Sequence, residues 1–325
     1  MTVKEKLKEL FEKHKGEYLS GERIAADLGC TRGAVWKAVR SLTEDGYRIT
    51  AVTNRGYRLD EENDVISEEG IREYLKSDAV KKLVVLKTVD STNLFLKKLA
   101  SDGAEEGTFV VSGEQTAGRG RLGRSFFSPS DSGIYMSILL KPDMGAESAI
   151  RITTAAAVAV AETVENITGK TTSVKWVNDI YADGRKICGI LTEASFNVEF
   201  GCFDYAVLGI GINVYEPDGG FPDDIKDRAG AVLSERTADM RNRIIAGVAD
   251  SFMDYYNDIG NRSYFESYEK RLMWKDEPID IISPAGTKQA VLRGIDDECR
   301  LIVEYPDGTE GIVSSGEISI RKKTD

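Results

Sequence analysis

Residues Gln115–Arg124 read QTAGRGRLGR, and with the segment directly behind them they constrain the fold more than any other stretch of the chain. Gly118, Gly120 and Gly123 satisfy the GxGxxG spacing of a dinucleotide-binding turn. Such a turn needs a helix directly behind it, aimed at a pyrophosphate, and an acidic residue about 20 positions on for the ribose. Here the chain continues RSFFSPSDSG, and Pro129 and Gly133 forbid an immediate helix. A Rossmann fold is excluded. Arg119, Arg121 and Arg124 alternate with the glycines. Free backbone N–H groups interleaved with guanidinium forks suit bidentate binding of an anion. The stretch is long and polar enough to be disordered when empty; the competing reading is an ordinary basic surface loop.

Around this loop, from about Asp64, strands and helices alternate over some two hundred residues. Leu83–Leu86 reads as a strand running into DSTN (Asp90–Asn93), which opens a helix carrying Leu94, Leu96 and Leu99. Further strands lie at Thr108–Ser112 and Tyr135–Leu140, and an Ala/Val-rich helix near Ile150–Ile167 can only pack. In Val174–Phe196, Asp183-Gly184 between two alternating runs predicts a type I′ hairpin. That turn pairs Ala182 with Arg185, Tyr181 with Lys186 and Asp179 with Cys188. Period-2 alternation then puts Asp179, Tyr181, Lys186 and Cys188 on one side of the sheet. A carboxylate and a cation facing inward are either a buried ion pair or a polar site, and the cost of burial favours the site. Leu208–Val214 (LGIGINV) reads as a buried strand closing on Asn213. About Lys275–Ile320, short strands at Ile279–Ile282, Gln289–Arg293, Arg300–Tyr305 and Thr309–Val313 surround a Pro306-Asp307-Gly308 turn. They predict a small β-barrel-like module.

The chain has 325 residues and a single histidine, His14. Histidine-built metal sites, Ser-His-Asp triads and Cys-His dyads are therefore excluded from the chemistry. Cys30, Cys188, Cys202 and Cys299 are scattered without a CxxC pair, which predicts reduced, mostly packed thiols. The charged N-terminal residues are no signal peptide, and no apolar run approaches a membrane span. The cytoplasm is the expected location, with no membrane partner. The net charge of −11 is uneven: residues 1–60 carry 12 Lys+Arg against 9 Asp+Glu, leaving a balance of −14 on the remainder.

That basic segment has a recognisable order. Leu7, Leu10 and Phe11 stripe a first helix; Ser20 caps a second that buries Ile24, Ala25 and Leu28 and ends at Gly29. Thr31 caps a third, packed through Ala34, Val35, Ala38, Val39 and Leu42, with Arg32, Lys37 and Arg40 on its other face. Two β stretches, Tyr47–Val52 and Tyr57–Leu59, flank a TNRG turn with Arg55. This is the winged-helix layout, in which the third helix enters the major groove and the wing touches the backbone. The plainer reading is a small packing domain with solvated cations. Trp36 reads as core or rim.

DSTN, QTAGRGRLGR, KWVNDI, GRKICGIL and GIGINV, in this order behind a winged helix, closely resemble the bifunctional biotin–protein ligases that are also biotin operon repressors. The resemblance spans essentially the whole chain. It implies an α+β multidomain protein: a winged helix-turn-helix domain (1–62), an α/β catalytic domain with a mixed sheet (63–272) and a small SH3-like β-barrel (273–325). It implies adenylation of biotin by ATP with Mg²⁺, then transfer of biotin to one lysine of a carboxylase's biotin carrier domain. It further implies an adenylate-bound homodimer that represses biotin genes at operator DNA. By motif, Ser91, Thr92, Asn93, Gln115, Gly118, Arg119, Gly120, Arg121, Lys186 and Gly189 correspond to the biotin site. Ser91, Thr92 and Gln115 face the ureido ring; Arg119, Arg121 and Lys186 face the carboxylate and phosphates. Arg124, Phe126, Lys175, Asn178 and Asn213 correspond to the nucleotide site, and Lys186, Arg121, Arg119 and Asp179 to the catalytic set. Arg32, Lys37, Arg40 and Arg55 fall to DNA. No residue is expected to form a dedicated metal site.

Two positions depart from the family pattern: Phe126 where tryptophan is frequent, and Val177 where KWPND has proline, a loss expected to loosen that strand entry. The resemblance leaves open a ligase whose winged helix no longer binds DNA, a ligand-sensing regulator with a dead catalytic domain, and a lipoate-type ligase.

Overall fold

The computed structural model describes residues 1–142, 145, 149–197, 202–284, 286–314 and 319–322, with backbone alone at 196–197, 202–203, 319 and 321. The chain divides into two compact units, one of Met1–Leu75 with Glu235–Ala246, the other of Lys76–Ser234 with Gly247–Asp325.

The first unit begins with three helices, α1 (Val3–Lys13), α2 (Gly21–Leu28) and α3 (Arg32–Glu44). Each starts where a hydroxyl side chain satisfies free N–H groups of the first turn. Thr2 and Glu5 form a reciprocal capping box, Ser20 accepts from Arg23 N, and Thr31 accepts from Ala34 N. Gly29 ends α2 in the left-handed conformation at φ 64°. The apolar stripes converge: Leu7, Phe11, Ile24, Val35 and Leu42 are fully buried with Leu19 and Leu59. The hairpin β1 (Ile49–Val52) and β2 (Gly56–Leu59) pairs antiparallel, and Leu19 bridges to Tyr57 as a third short strand. Helix α4 (Glu68–Tyr74) and the first turns of α7 (Met240–Asn257) complete the unit. Arg241 anchors that end on Asp64, both side chains buried. Beside them, Glu12 is held near Lys15, which also pairs with Asp239.

In the second unit, seven strands form one mixed sheet: β3 (Lys82–Leu86), β4 (Thr108–Ser112), β5 (Gly133–Leu140), β6 (Thr172–Lys175), β7 (Asp179–Ala182), β8 (Arg185–Asn197) and β9 (Cys202–Asn213). Their order is β3-β4-β5-β9-β8-β7-β6, with only β3–β4 parallel. Helix α6 (Ala149–Thr168) packs on one face through its buried Ala/Val positions, as expected of a helix with nothing but packing to do. Helix α5 (Thr92–Ser101) covers part of the other face, Leu96 meeting Val110, Leu139 and Val207. After α8 (Phe265–Lys270), five strands, β10 (Pro278–Ser283), β11 (Gly286–Ile295), β12 (Leu301–Glu304), β13 (Glu310–Val313) and β14 (Ser319–Lys322), form an antiparallel sheet in the order β13-β12-β11-β10-β14. Among the described residues the pairings give a five-stranded antiparallel sheet, without a β13–β14 pairing that would close it into a barrel.

One register differs from expectation. Asp183 and Gly184 both have positive φ, as a type I′ turn requires, and Tyr181 does face Lys186. A bulge then shifts the ladder, so that Ile180 faces Cys188 and Asp179 faces Gly189. One extra residue reverses every later side chain on β8. Cys188 consequently lies buried on the face opposite Asp179. Cys299 is also buried and Cys30 half-buried, all three as free thiols, while the side chain of Cys202 lies outside the described residues. Among the described residues, no helix is long and apolar enough to cross a membrane.

Candidate active site and nucleic-acid interface

The face of the sheet beyond α5 carries a run of small residues. Gly189 of β8 opposes Gly211 of β9, and Leu191 opposes Gly209. With Asp179 opposite Gly189 and Tyr135 opposite Gly211, these positions share one face. The glycines leave room that other side chains occupy. A Cβ on Gly209 would lie 2.2 Å from Asn93 Oδ1, and one on Gly211 would lie 2.6 Å from Phe126 Cε1.

The Gly/Arg stretch roofs this floor. In this conformation it closes on itself. Gln115 N donates to Ser128 O at 3.0 Å, Phe126 N to Gly118 O at 2.9 Å, and Gly120 N to Arg124 O at 2.7 Å. Its base is tied to the DSTN turn, where Thr116 N and Ala117 N donate to Val89 O and Asp90 O. Leu122 and Gly123, both at positive φ, make the tip.

Floor and roof enclose a cleft of about 860 Å³ including its open mouth, a size suited to a small organic ligand. Ser91, Thr92, Asn93, Gln115, Arg119, Gly120, Arg121, Arg124, Phe126, Asn178, Asp179, Lys186 and Gly189 all line it. Gly118, Lys175 and Asn213 do not. Gly118 lies at the loop's base, Lys175 Nζ sits 5.5 Å from the Trp274 ring centroid, and Asn213 donates to Gly230 O at 3.1 Å. Leu122 and the Gly209–Gly211 strand segment, which lie within the quoted motifs QTAGRGRLGR and GIGINV, and Ser125 just behind the first, also line it, although none of them stands among the expected site residues.

The cleft is polar at one end and cationic at the other. Thr92 donates to Gln115 Oε1 through both its N–H (2.9 Å) and its hydroxyl (3.1 Å). Gln115 Nε2 in turn donates to Ser128 Oγ at 3.0 Å. Ser91, at the start of α5, makes no capping bond with its side chain. At the other end Lys186 pairs with Asp179 at 2.6 Å, and Arg121 donates to Asn178 Oδ1 at 3.1 Å. Burial lowers the Arg121 pKa, partly countered by Asp179. A partly desolvated Arg121 beside further cations round an open space suits an anion. Val177, at the position of the family's proline, is buried, and its carbonyl accepts from Tyr268 at 3.2 Å.

In the first unit, Arg32, Lys37 and Arg40 are exposed on one face of α3. Trp36 is 53% exposed among them, which corrects the expectation of a core or rim residue. The Arg40 guanidinium lies 5.8 Å from its ring centroid and also pairs with Glu44. At the hairpin, Arg55 stacks over Tyr18 at 4.4 Å.

Comparison with known proteins decides the family. The chain is 36% identical over 323 residues to the bifunctional ligase/repressor BirA of Bacillus spizizenii, covering 97% of this chain and 98% of the relative. It belongs to the biotin protein ligase family. The model of the biotin/lipoate A/B protein ligase family matches residues 85–213, an HTH domain matches 3–58, and the biotin protein ligase C-terminal domain matches 276–321. The BirA of Escherichia coli is 28% identical over 94% of each chain. Among solved structures, the Aquifex aeolicus biotin protein ligase in complex with biotin and ATP superposes with a TM-score of 0.65 at 29% identity, covering 75% of this chain and all of that one. The closed Gly/Arg loop and the glycine floor both fall within the residues 85–213 that the family model matches.

Proposed function

We propose that this biotin protein ligase joins biotin to ATP as biotinyl-5′-AMP and then biotinylates one lysine of a carboxylase's carrier domain. The observation that carries the reading is the polarity of the cleft: an uncharged hydrogen-bonding end at Ser91, Thr92 and Gln115, and a cationic end at Arg119, Arg121, Arg124 and Lys186. A ureido ring needs the first and a carboxylate beside a polyphosphate needs the second. The competing lipoate reading lacks a ureido ring for Thr92 and Gln115 to meet.

The biotin carboxylate is ionised at neutral pH and needs no base. Its oxygen attacks the α-phosphorus, the bond to the β-phosphate oxygen breaks, and pyrophosphate leaves. The obstacle is bringing an anion onto a polyanion, so Arg121 and Lys186 act by neutralising charge and fixing the line of attack. Lys186 must exchange its contact with Asp179 for the substrate anions. In the second step an acceptor amine with a pKa near 10.4 attacks the carbonyl carbon, the bond to AMP breaks, and the amine loses a proton. Asp179, released by Lys186, is placed to orient that amine and take its proton. Among the described residues no group of three or more His, Cys, Asp or Glu could hold a metal ion. Magnesium enters as the MgATP complex, a habit of a cation that keeps waters and binds through phosphates.

The remaining assignments complete the proposal. Phe126, Asn178 and Arg124 serve the nucleotide from the cleft, with Lys175 and Asn213 acting from outside its lining. Residues 1–62 bind operator DNA through Arg32, Lys37, Arg40 and Arg55, residues 63–272 catalyse, and residues 273–325 assist. The adenylate-loaded chain acts as a homodimeric repressor in the cytoplasm. Adenylate formation, followed as pyrophosphate release, should be abolished or severely slowed in Lys186→Ala and Arg121→Ala while both fold normally. Wild-type rates in either variant contradict the assignment.

A further inference from the structure

Glu193 lies on β8, outside the cleft lining, and is met by three side chains, two of which line the cleft. Its carboxylate accepts from Lys97 Nζ at 2.7 Å and from Asn93 Nδ2 at 2.8 Å, and lies 3.5 Å from Arg119 Nη1. The carboxylate is 19% exposed, while Arg119 is 45% exposed. Burial disfavours its charge, and the hydrogen bonds from Lys97 and Asn93, with Arg119 nearby, outweigh that, holding its pKa below the usual value.

From Glu193 a chain of polar contacts runs beneath the cleft and returns to the loop. Asn93 Oδ1 lies 2.6 Å from the Ser137 hydroxyl, which is shared with Thr92 Oγ1 at 2.8 Å. Thr92 donates to Gln115, Gln115 to Ser128, and Ser128 Oγ to the Phe126 carbonyl at 2.9 Å. One end of this relay touches the loop at Arg119 and the other at Gln115 and Phe126. Of the side chains between them, Asn93, Thr92 and Gln115 also line the cleft.

We infer that Glu193 is a positioning residue for the biotin end of the cleft, setting Asn93 over Gly209 and drawing Arg119 to the rim. It touches no substrate. Loss of its charge frees Arg119 and Lys97, and loss of its oxygens lets Asn93 turn away from the floor, so the hydroxyls and amide further along lose their alignment. On the nucleotide side, Lys186 is held by Asp179, and Asn178 by Arg121 and the Ile190 carbonyl, partners that lie outside the relay. Of the cationic residues only Arg119 meets the relay, and it does so at the exposed rim, so the effect falls chiefly on biotin.

The inference rests on the biotin assignment of Thr92 and Gln115, and steady-state kinetics of the full chain can separate the two. Thr92→Val tests the assignment: it should raise KM for biotin, and an unchanged value overturns both readings. If Thr92→Val weakens biotin, Glu193→Ala should raise KM for biotin about tenfold, leaving kcat and KM for ATP within about twofold. Glu193→Gln keeps an acceptor for Asn93 and should show a rise of about threefold. In Arg119→Ala combined with Glu193→Ala, the two effects should be less than additive, since part of each is the same contact. A wild-type KM in Glu193→Ala, parallel rises for biotin and ATP, or full additivity overturns the inference. Should the alanine variant not fold, a wild-type KM in Glu193→Gln does so alone.

Discussion

At the scale of single residues, function here depends on where side chains are missing as much as where they are present. Gly211 leaves the space that the Phe126 ring fills. Gly211→Ala forces that ring off the floor, because a Cβ would sit 2.6 Å from it. Isothermal titration should show biotin and ATP binding weakened by at least tenfold, with affinities at the wild-type level contradicting the packing account. Trp36 poses the opposite case, a large apolar ring exposed among cations. It contacts no phosphate as a charge, so Trp36→Ala should weaken specific DNA binding while leaving the salt dependence intact. Lys37→Ala should instead reduce the slope of log K against log salt by about one. Mobility shifts at several salt concentrations distinguish the two, and equal slopes in both variants contradict the division of labour. Both residue types are legible in the sequence, and the four-residue spacing puts Trp36 on the face of Arg32 and Arg40; its large apolar ring is what argues for a core or rim position. Only the packing of α3 on α1 and α2 shows which arc of the helix is left outside.

At the scale of elements, helices and caps are legible almost to the residue, because capping depends on side chains one to three positions away. The cap at Thr2 escapes a reading that starts from apolar stripes, although Glu5 completes a capping box with it. The type I′ turn is legible for the same local reason. Register beyond the turn is not. The bulge between Ile180 and Tyr181 reverses the alternation along β8, so Gly189, Leu191 and Glu193 fall on the Asp179 face where Cys188 was expected, the first two lining the cleft. A reading that counts by twos from Lys186 assigns Glu193 to the wrong face, which is why its role is invisible in the sequence. In α1, Glu12 carries a second consequence of packing. Burial raises its carboxyl to about 7, Lys15 opposes that, and Asp239, Glu73 and Glu69 reinforce it. A group whose folded value exceeds its unfolded value of 4.5 stabilises fully below that value. The contribution, about 3 kcal/mol at about 1.4 kcal/mol per unit, is lost as pH rises from about 4.5 through 7. Glu12→Gln mimics the protonated group. Amide exchange in α1 should therefore be slower in the variant than in wild type at pH 8 and similar at pH 5 after correction for intrinsic rates. Identical protection at both pH values contradicts this.

At the scale of the whole molecule, a net charge of −11 conceals two different charge distributions. Residues 1–60 carry an excess of three cations, and the remainder concentrates several of its own cations round one cleft. A single histidine is no handicap for a reaction whose nucleophile is already an anion, and His14 itself only pairs with Glu17 beside α1. If the adenylate drives dimerisation, sedimentation velocity should show a monomer alone and a dimer with biotin and MgATP, and ligand-independent sedimentation contradicts that coupling. The central claim is the chemistry of the cleft. Its most direct test is to incubate the protein with biotin, MgATP and an apo biotin carrier domain and weigh the carrier by mass spectrometry. The expected product carries one biotinyl group on one lysine, absent with Lys186→Ala and absent when lipoate replaces biotin. A carrier of unchanged mass with the wild-type protein, or one that gains lipoyl in place of biotinyl, contradicts it.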